Sequence, residues 1–146
     1  MVKPVEGYAL AVPIEVRFRD VDSMRHANNA VYFTYFENAR IRYWNAVPGI
    51  GSRREIDYIL AHAECDFRSP ATTDDDLACH IRVLKFGRTS FVFEYLVRDE
   101  RSLRTVATGS TVQVMYDYEA ARAKPLPEEF KLAIRVFEGR DIGQTP

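Results

Sequence analysis

The chain has 146 residues, of which 47% are hydrophobic and 28% charged, and its formal net charge is −1 from 20 basic and 21 acidic side chains. These values predict one soluble domain over residues 1–146, large enough to bury a core, and they argue against broad binding to nucleic acid or membranes. We find neither a run of roughly 18 apolar residues nor a signal peptide, so we expect a cytoplasmic protein.

Several kinds of chemistry are excluded by missing motifs. The three histidines, His26, His62 and His80, are far apart in the sequence, and no spacing of His and Cys fits a metal site. The sequence has no GxSxG, GxGxxG or P-loop pattern, so no serine-hydrolase elbow and no nucleotide cofactor is expected. Cys65 and Cys79 form no CxxC pair, which favours reduced thiols within strands. We therefore expect neither a metal nor a cofactor.

The first predicted element is a strand over residues 12–19, where apolar and polar side chains alternate. Its inward face would consist of Val12, Ile14, Val16 and Phe18. The strand leads into Asp20 and Asp22, two carboxylates one residue apart, and then into a polar connection. These carboxylates therefore lie between a strand and the next element, which is a helix.

That helix is predicted over residues 30–44, with Asn28 or Asn29 as its N-cap. Its apolar residues form two neighbouring stripes: Tyr32, Tyr35, Phe36, Ala39 and Tyr43 in one, and Phe33, Ile41 and Trp44 in the other. Its polar strip is narrow and consists of Thr34, Asn38, Arg42 and Asn45. A helix that is apolar on most sides is expected to be enclosed by other structure.

Four strands are predicted next, over residues 58–68, 77–86, 89–98 and 103–116. Short turns join them, which indicates a mostly antiparallel sheet. A short C-terminal helix should begin at Pro127, where proline suits the first helical position, and end before Gly139. The order of elements predicts an α+β fold in which five strands curl around the central helix.

Taken one at a time, the polar residues between strand and helix have ordinary explanations. Asp20 and Asp22 suit a turn, His26 suits a hydrogen-bonded loop, and Asn28 with Asn29 suits a helix cap. The aromatic run that follows is typical of a core. Their combination is more informative than any single residue.

Together, these residues resemble the hotdog-fold acyl-CoA thioesterases of the 4-hydroxybenzoyl-CoA thioesterase-like group. The shared pattern is D-x-D at 20–22, H-x-N-N at 26–29, Tyr32, and E-x-A-R at 37–40. Weaker similarity continues through residues 65–70, 76–77 and 87–91. Many members carry glycine where this chain has Arg25, so the geometry of this turn is open: either it needs no positive φ or the local loop differs.

The resemblance implies a five-stranded antiparallel hotdog sheet around the central helix, with active sites at the boundary of a homodimer or homotetramer. It implies Asp22 as the catalytic carboxylate and the backbone N–H of Asn29 as the oxyanion donor. A helix N-terminus suits this second role, because its unpaired amides carry partial positive charge. Whether the carboxylate attacks the thioester or activates water is open. His26, Asn28 and Tyr32 are the expected substrate-binding residues near the thioester.

The phosphates of coenzyme A must be met by cations. By resemblance, the turn after residue 84 contacts the nucleotide, which makes Lys85, Arg88 and Ser90 candidates. The alternatives are Arg53, Arg54, Arg122 and Lys124. The expected activity is acyl-CoA hydrolysis. Two other functions are open: hydrolysis of acyl groups on acyl carrier protein, which would predict a basic docking surface, and acyl-CoA binding without catalysis, against which the carboxylate argues.

Overall fold

The computed structural model describes residues 2–50 and 57–143. Its strands are β1 (Leu10–Ile14), β2 (Tyr58–Phe67), β3 (Leu77–Phe86), β4 (Ser90–Asp99), β5 (Thr105–Asp117) and the two-residue β6 (Arg122–Ala123). Its helices are α1 (Val31–Ala46) and α2 (Glu128–Glu138), and a single 3-10 turn covers Phe18–Asp20. The predicted α+β class is confirmed. The sheet has six strands rather than the five expected, because the short strand β6 is added.

The strands form one antiparallel sheet in the order β1-β3-β4-β5-β2, with β6 paired to β5. Helix α1 packs against β3, β1 and β2, so that it lies across one face of the sheet. The two edge strands, β1 and β2, are on opposite sides of α1. The start of α1, where the predicted catalytic residues lie, is near the Ile14 end of β1.

The sheet face toward α1 is built by alternating side chains of β4. Phe91, Phe93, Tyr95 and Val97 are fully buried, while the residues between them are partly exposed. The ring of Phe36 on α1 stacks on Tyr95 at 4.2 Å between centroids. Gly109 of β5 permits this packing, since a Cβ there would lie 2.6 Å from the Phe36 ring. Aromatic contacts of this kind fix α1 against the sheet.

The first strand is shorter than predicted. It ends at Ile14, and Phe18 lies in the 3-10 turn with 93% of its surface exposed, so its predicted inward position is wrong. Val12 and Val16 are buried as expected. The turn forms because Arg17 and Asp20 are linked: the Arg17 N–H donates to Asp20 Oδ2 at 2.9 Å. This local bond holds Phe18–Asp20 in a turn, so the alternation of inward and outward side chains does not continue to Asp20.

Helix α1 is less enclosed than its sequence predicts. The stripe of Tyr32, Tyr35, Phe36, Ala39 and Tyr43 is buried, and so is Trp44, but Phe33 and Ile41 are 40% and 51% exposed. The polar strip is exposed, as predicted. The prediction of burial on most sides is therefore wrong for Phe33 and Ile41 within one chain, because a single sheet layer covers only one side of a helix.

Both helix ends differ slightly from expectation. The N-cap of α1 is Ala30, and the predicted caps Asn28 and Asn29 lie just before it. Pro127 is the N-cap of α2 rather than its first residue, and Gly139 ends α2 at φ 66°, as glycine can without strain. Within residues 2–50 and 57–143, no helix is long and apolar enough to cross a membrane.

Candidate active site

The loop between β1 and α1 is a tight, hydrogen-bonded structure. Val21 and Ala27 form an isolated antiparallel bridge, and the Asp22 N–H donates to the carbonyl of His26 at 3.3 Å. The Arg25 N–H closes the turn by donating to the Asp22 carbonyl at 3.0 Å. The Ala27 N–H anchors the loop to the chain before β3 by donating to the Ala71 carbonyl at 2.7 Å. The position of Asp22 is thus fixed by backbone bonds.

The carboxylate of Asp22 is held from both sides. Its Oδ1 accepts from the Met24 N–H at 2.8 Å, and its Oδ2 accepts from Nδ2 of Asn28 at 3.1 Å. The other side of the Asn28 amide faces the helix, where Oδ1 accepts from the Ala30 N–H at 2.9 Å. Asn28 therefore connects the carboxylate directly to the start of α1. Asp22 is half-buried, so it stays accessible to a substrate.

Asn29 supplies an unused donor at this helix start. The carbonyls of Asn28 and Asn29 accept from the N–H groups of Val31 and Tyr32 in the first turn. The Asn29 N–H donates to none of the described residues, and Asn29 is exposed. The dipole of the 16-residue helix α1 adds partial positive charge at this point. Such an N–H can stabilise a developing oxyanion.

A second carboxylate, Asp20, has a supporting position. Its Oδ2 accepts from Tyr35 Oη at 3.1 Å as well as from the Arg17 N–H, and its carbonyl accepts from the Asn28 N–H at 2.8 Å. Burial and the adjacent Asp20 carboxylate raise the pKa of the Tyr35 hydroxyl, so it remains a donor. The sequence placed Tyr35 in the core stripe and missed this bond. The signal available was its hydroxyl, because buried tyrosines usually find a partner.

The turn contains a strained residue at Arg25. Its φ is 69°, in the left-handed region that favours glycine. The sequence left open whether this turn needs a positive φ. It does, and Arg25 adopts it despite its side chain.

The remaining predicted residues near the thioester are His26 and Tyr32. His26 is half-buried in the loop, with Nδ1 at 3.4 Å from the carbonyl of Ala27. Tyr32 is 3% exposed, and its ring packs edge-on against Phe67 of β2 at 5.2 Å. Burial raises the pKa of the Tyr32 hydroxyl to about 12. Tyr32 thus lies between the loop of residues 20–28 and the β2 edge of the sheet.

The predicted nucleotide-binding turn is not near this loop in the same chain. Ile14 pairs with Leu77 at one end of β3, whereas Lys85, Arg88 and Ser90 lie at or beyond its other end. A ten-residue strand is about 33 Å long, so the two regions are at opposite ends of the sheet. The alternatives Arg122 and Lys124 lie near the same far end, next to β5, where the Lys124 N–H donates to the Met115 carbonyl. Arg53 and Arg54 lie outside the described residues.

No cluster of three or more His, Cys, Asp or Glu side chains suited to a metal ion is present in the described part of the chain. Cys65 and Cys79 are free thiols, as predicted, and burial raises the pKa of Cys65 to about 11. A neutral, partly buried thiol of this kind is a poor nucleophile. Among these groups, Asp22 is the candidate for attacking chemistry.

Comparisons with known proteins show similarity to thioesterases. The family model of the thioesterase-like superfamily matches residues 16–134. The crystal structure of a Thermus thermophilus thioesterase, complexed with coenzyme A and Zn, superposes with a TM-score of 0.84 at 35% identity, covering 94% of this chain and 100% of that one. A Xanthomonas campestris protein provisionally named an acyl-CoA thioesterase has a TM-score of 0.70 at 28% identity, covering 82% and 99%. The uncharacterized Bacillus subtilis (strain 168) protein YsmA is 25% identical over 118 residues, which is 81% of this chain and 80% of YsmA.

An antiparallel sheet packed on one long helix, with a carboxylate loop at the start of that helix, defines the class as a hotdog-fold thioester hydrolase. The chain belongs to the thioesterase-like superfamily, since that family model covers most of its length.

Proposed function

We propose that this protein hydrolyses acyl-CoA thioesters to the free acid and coenzyme A, with Asp22 as its catalytic carboxylate. The observation that carries the proposal is the link through Asn28, which holds the Asp22 carboxylate beside the unpaired N–H of Asn29. The similarity to a thioesterase bound to coenzyme A supports the choice of carrier. Its cytoplasmic location is part of the same proposal, because acyl-CoA is an intracellular substrate.

In this proposal, Asp22 and the Asn29 N–H are the two groups that carry the reaction. Attack on the thioester carbonyl moves negative charge onto its oxygen, which the Asn29 N–H stabilises. The C–S bond then breaks, a C–O bond remains, and the departing thiolate takes up a proton. Asp22 either attacks the carbonyl carbon itself, forming an anhydride that water opens, or removes a proton from the attacking water. Single turnover in heavy-oxygen water tests for the first route, because label appears in the Asp22 carboxylate only when water opens an anhydride at the Asp22 carbonyl carbon.

His26, Asn28 and Tyr32 surround the thioester in this proposal, in different ways. The Asn28 side chain is committed to Asp22 and to the Ala30 N–H, so it acts by positioning the carboxylate. His26 is half-buried in the loop, and we propose that its accessible surface contacts the substrate. Tyr32 closes the site toward β2 through its contact with Phe67.

We also propose a homodimer, and its geometry gives the predicted nucleotide-binding turn a role. β2 is a sheet edge that exposes Ile59 and Leu60, whereas the opposite edge, β1, contains Pro13, which cannot donate to a further strand. Two β2 strands paired antiparallel about a two-fold axis bring the Phe67 end of one beside the Tyr58 end of the other. The partner subunit's turn then approaches this chain's catalytic loop. Lys85, Arg88 and Ser90 would thus bind the nucleotide across the dimer.

The test measures hydrolysis of a series of acyl-CoAs, with the release of free thiol as the readout. The Asp22→Asn variant keeps the size and polarity of the side chain but removes both nucleophile and base, and it gives up one of the two hydrogen bonds that the carboxylate accepts. We expect kcat to fall by at least about 10²-fold, the usual magnitude for a general base, and more if the attack is covalent.

The matched control is Asp20→Asn, because Asp20 lies two residues away and bonds Tyr35 and the loop backbone. It should lower the thermal midpoint and reduce the rate less than Asp22→Asn. A folded Asp22→Asn protein that hydrolyses acyl-CoA at the parent rate would show that the catalytic assignment is wrong.

A further inference from the structure

A groove on the other side of α1 from β2 takes no part in the chemistry proposed above. It lies between β1 and the polar strip of α1 and encloses about 320 Å³. Val12, Ile14 and Tyr35 give it apolar surface, and Thr34, Asn38 and Arg42 give it polar surface along the helix. Its mixed lining and size suit a small organic group.

One end of this groove touches the catalytic loop. Asp20 and Val31 line it there, and both are bonded to Asn28: the Asn28 N–H donates to the Asp20 carbonyl at 2.8 Å, and the Val31 N–H donates to the Asn28 carbonyl at 3.0 Å. Asn28 is also the residue that holds the Asp22 carboxylate. The groove therefore begins beside the place where the thioester would be cleaved.

The groove carries excess positive charge. Its lining includes Arg17, Arg19 and Arg42, and none of these forms an ion pair with a described residue. Its two carboxylates are Glu15 and Asp20, and Asp20 is already occupied by the Tyr35 hydroxyl and the Arg17 N–H. An anionic group entering the groove would find donors without competing ion pairs.

The direction of the substrate follows from the proposed dimer. In the proposed dimer, coenzyme A reaches the loop from the β2 side, so the acyl group continues past the start of α1 toward β1. Arg42 lies eleven residues after Val31, about 16 Å along the helix, and its side chain leans back toward the helix start. The distal end of a medium-length acyl chain would meet Asn38 and Arg42.

We propose that this groove binds the acyl group and selects acyl chains with a distal carboxylate, which Arg42 recognises. The substrates would be monothioesters of dicarboxylic acids rather than plain fatty acids. An uncharged chain of equal length would cover the same arginines without satisfying them, which is unfavourable. This inference rests on the proposed hydrolysis of acyl-CoA, and it concerns only the choice of acyl group.

The experiment compares kcat/KM for adipyl-CoA and suberyl-CoA with that for hexanoyl-CoA and octanoyl-CoA. The parent protein should prefer the dicarboxylic substrate of each pair. Arg42→Gln should reduce kcat/KM for that substrate by about 10-fold or more, the usual effect of losing a hydrogen bond to a charged group. It should not reduce kcat/KM for the uncharged substrate, because it removes a charge that an uncharged chain covers without satisfying. Arg101→Gln, on the exposed turn after β4, is the matched control and should change neither.

Equilibrium binding of the same substrates to the Asp22→Asn variant separates this inference from the proposed hydrolysis. A binding preference for adipyl-CoA would support the groove even if Asp22 proved not to be catalytic. The inference would be overturned if charged and uncharged chains of equal length gave the same kcat/KM with the parent protein and the same affinity for Asp22→Asn. An Arg42→Gln effect of equal size on all substrates, acetyl-CoA included, would also overturn it, because that result would assign the groove to the nucleotide.

Discussion

At the scale of single residues, the loop that holds Asp22 is fixed by hydrogen bonds at its carboxylate and strained where its backbone turns. Asp22 accepts one hydrogen bond on each oxygen, and both donors lie within six residues of it. Arg25 occupies the left-handed region at φ 69° to close the same turn. A non-glycine residue there costs about 1–2 kcal/mol. The loop therefore holds its carboxylate at a local cost in stability.

Arg25→Gly should relieve this strain. Glycine loses more conformational freedom on folding, which offsets part of the gain, so we expect the free energy of unfolding to rise by about 0.5–1 kcal/mol. Urea denaturation of the parent and the variant measures this change. Arg101→Gly, at an exposed position without a positive φ, should destabilise the protein instead. A loss of stability in both variants would mean that Arg25 makes contacts that outweigh its strain.

At the scale of elements, side-chain bonds hold the turns that set the strand register. Asp99 ends β4, and its carboxylate accepts from the Asp76 N–H at 2.9 Å, the Ser102 N–H at 3.1 Å and the Ser102 hydroxyl at 2.5 Å. These bonds lower the pKa of Asp99 from its usual 3.8 to about 2. The same turn includes Leu103 at φ 63°, so these bonds constrain a strained backbone.

The depressed pKa of Asp99 predicts a dependence of stability on acid. Because the folded pKa lies below the unfolded one, the stabilising contribution is complete above about pH 3.8 and is lost as the pH falls toward about 2. When the free energy of unfolding is measured by denaturation at several pH values in this range, it should fall less steeply with decreasing pH for Asp99→Asn than for the parent. Asp74→Asn, whose carboxylate accepts no hydrogen bond from the described residues, should retain the slope of the parent.

At the scale of the whole molecule, exposed apolar side chains offer surfaces for the proposed dimer. Leu60 on β2 is 48% exposed, and Phe33 and Ile41 on α1 are also open to solvent in one chain. A second surface, on α2, exposes Leu132 and Val136. Among the described residues, only the β2 surface combines exposed apolar side chains with a free sheet edge that lacks proline, and its Phe67 end lies nearer the loop that holds Asp22.

Leu60→Lys should therefore convert a dimer into a monomer, because a charge on an edge strand opposes pairing with a second strand. Sedimentation at micromolar concentration measures this change, and hydrolysis should fall with it, since in the proposed dimer the predicted nucleotide-binding turn of one subunit serves the site of the other. Val136→Lys on α2 is the control, and it should remain dimeric and active. A parent protein that sediments as a monomer would contradict both the assembly and the shared site.

The sequence determined those features that depend on neighbours along the chain. Alternation predicted β3 and β4, Gly139 predicted the end of α2, and the pattern from Asp20 to Arg40 indicated the family. The bonds within the loop are local, spanning two to six residues from Asp22, which explains why the pattern could indicate them.

Tertiary structure decided the rest. Tyr35 looked like a core residue, and only the folding of β1 against α1 brought its hydroxyl to Asp20, fifteen residues away. Phe18 continued an apolar alternation, yet the bond between Arg17 and Asp20 turned it to solvent. Lys85 and Arg88 belong to a turn that the register of β3 places at the opposite end of the sheet from Asp22. Periodicity records which way a side chain faces locally, whereas distances across a sheet follow from pairing and packing among distant segments.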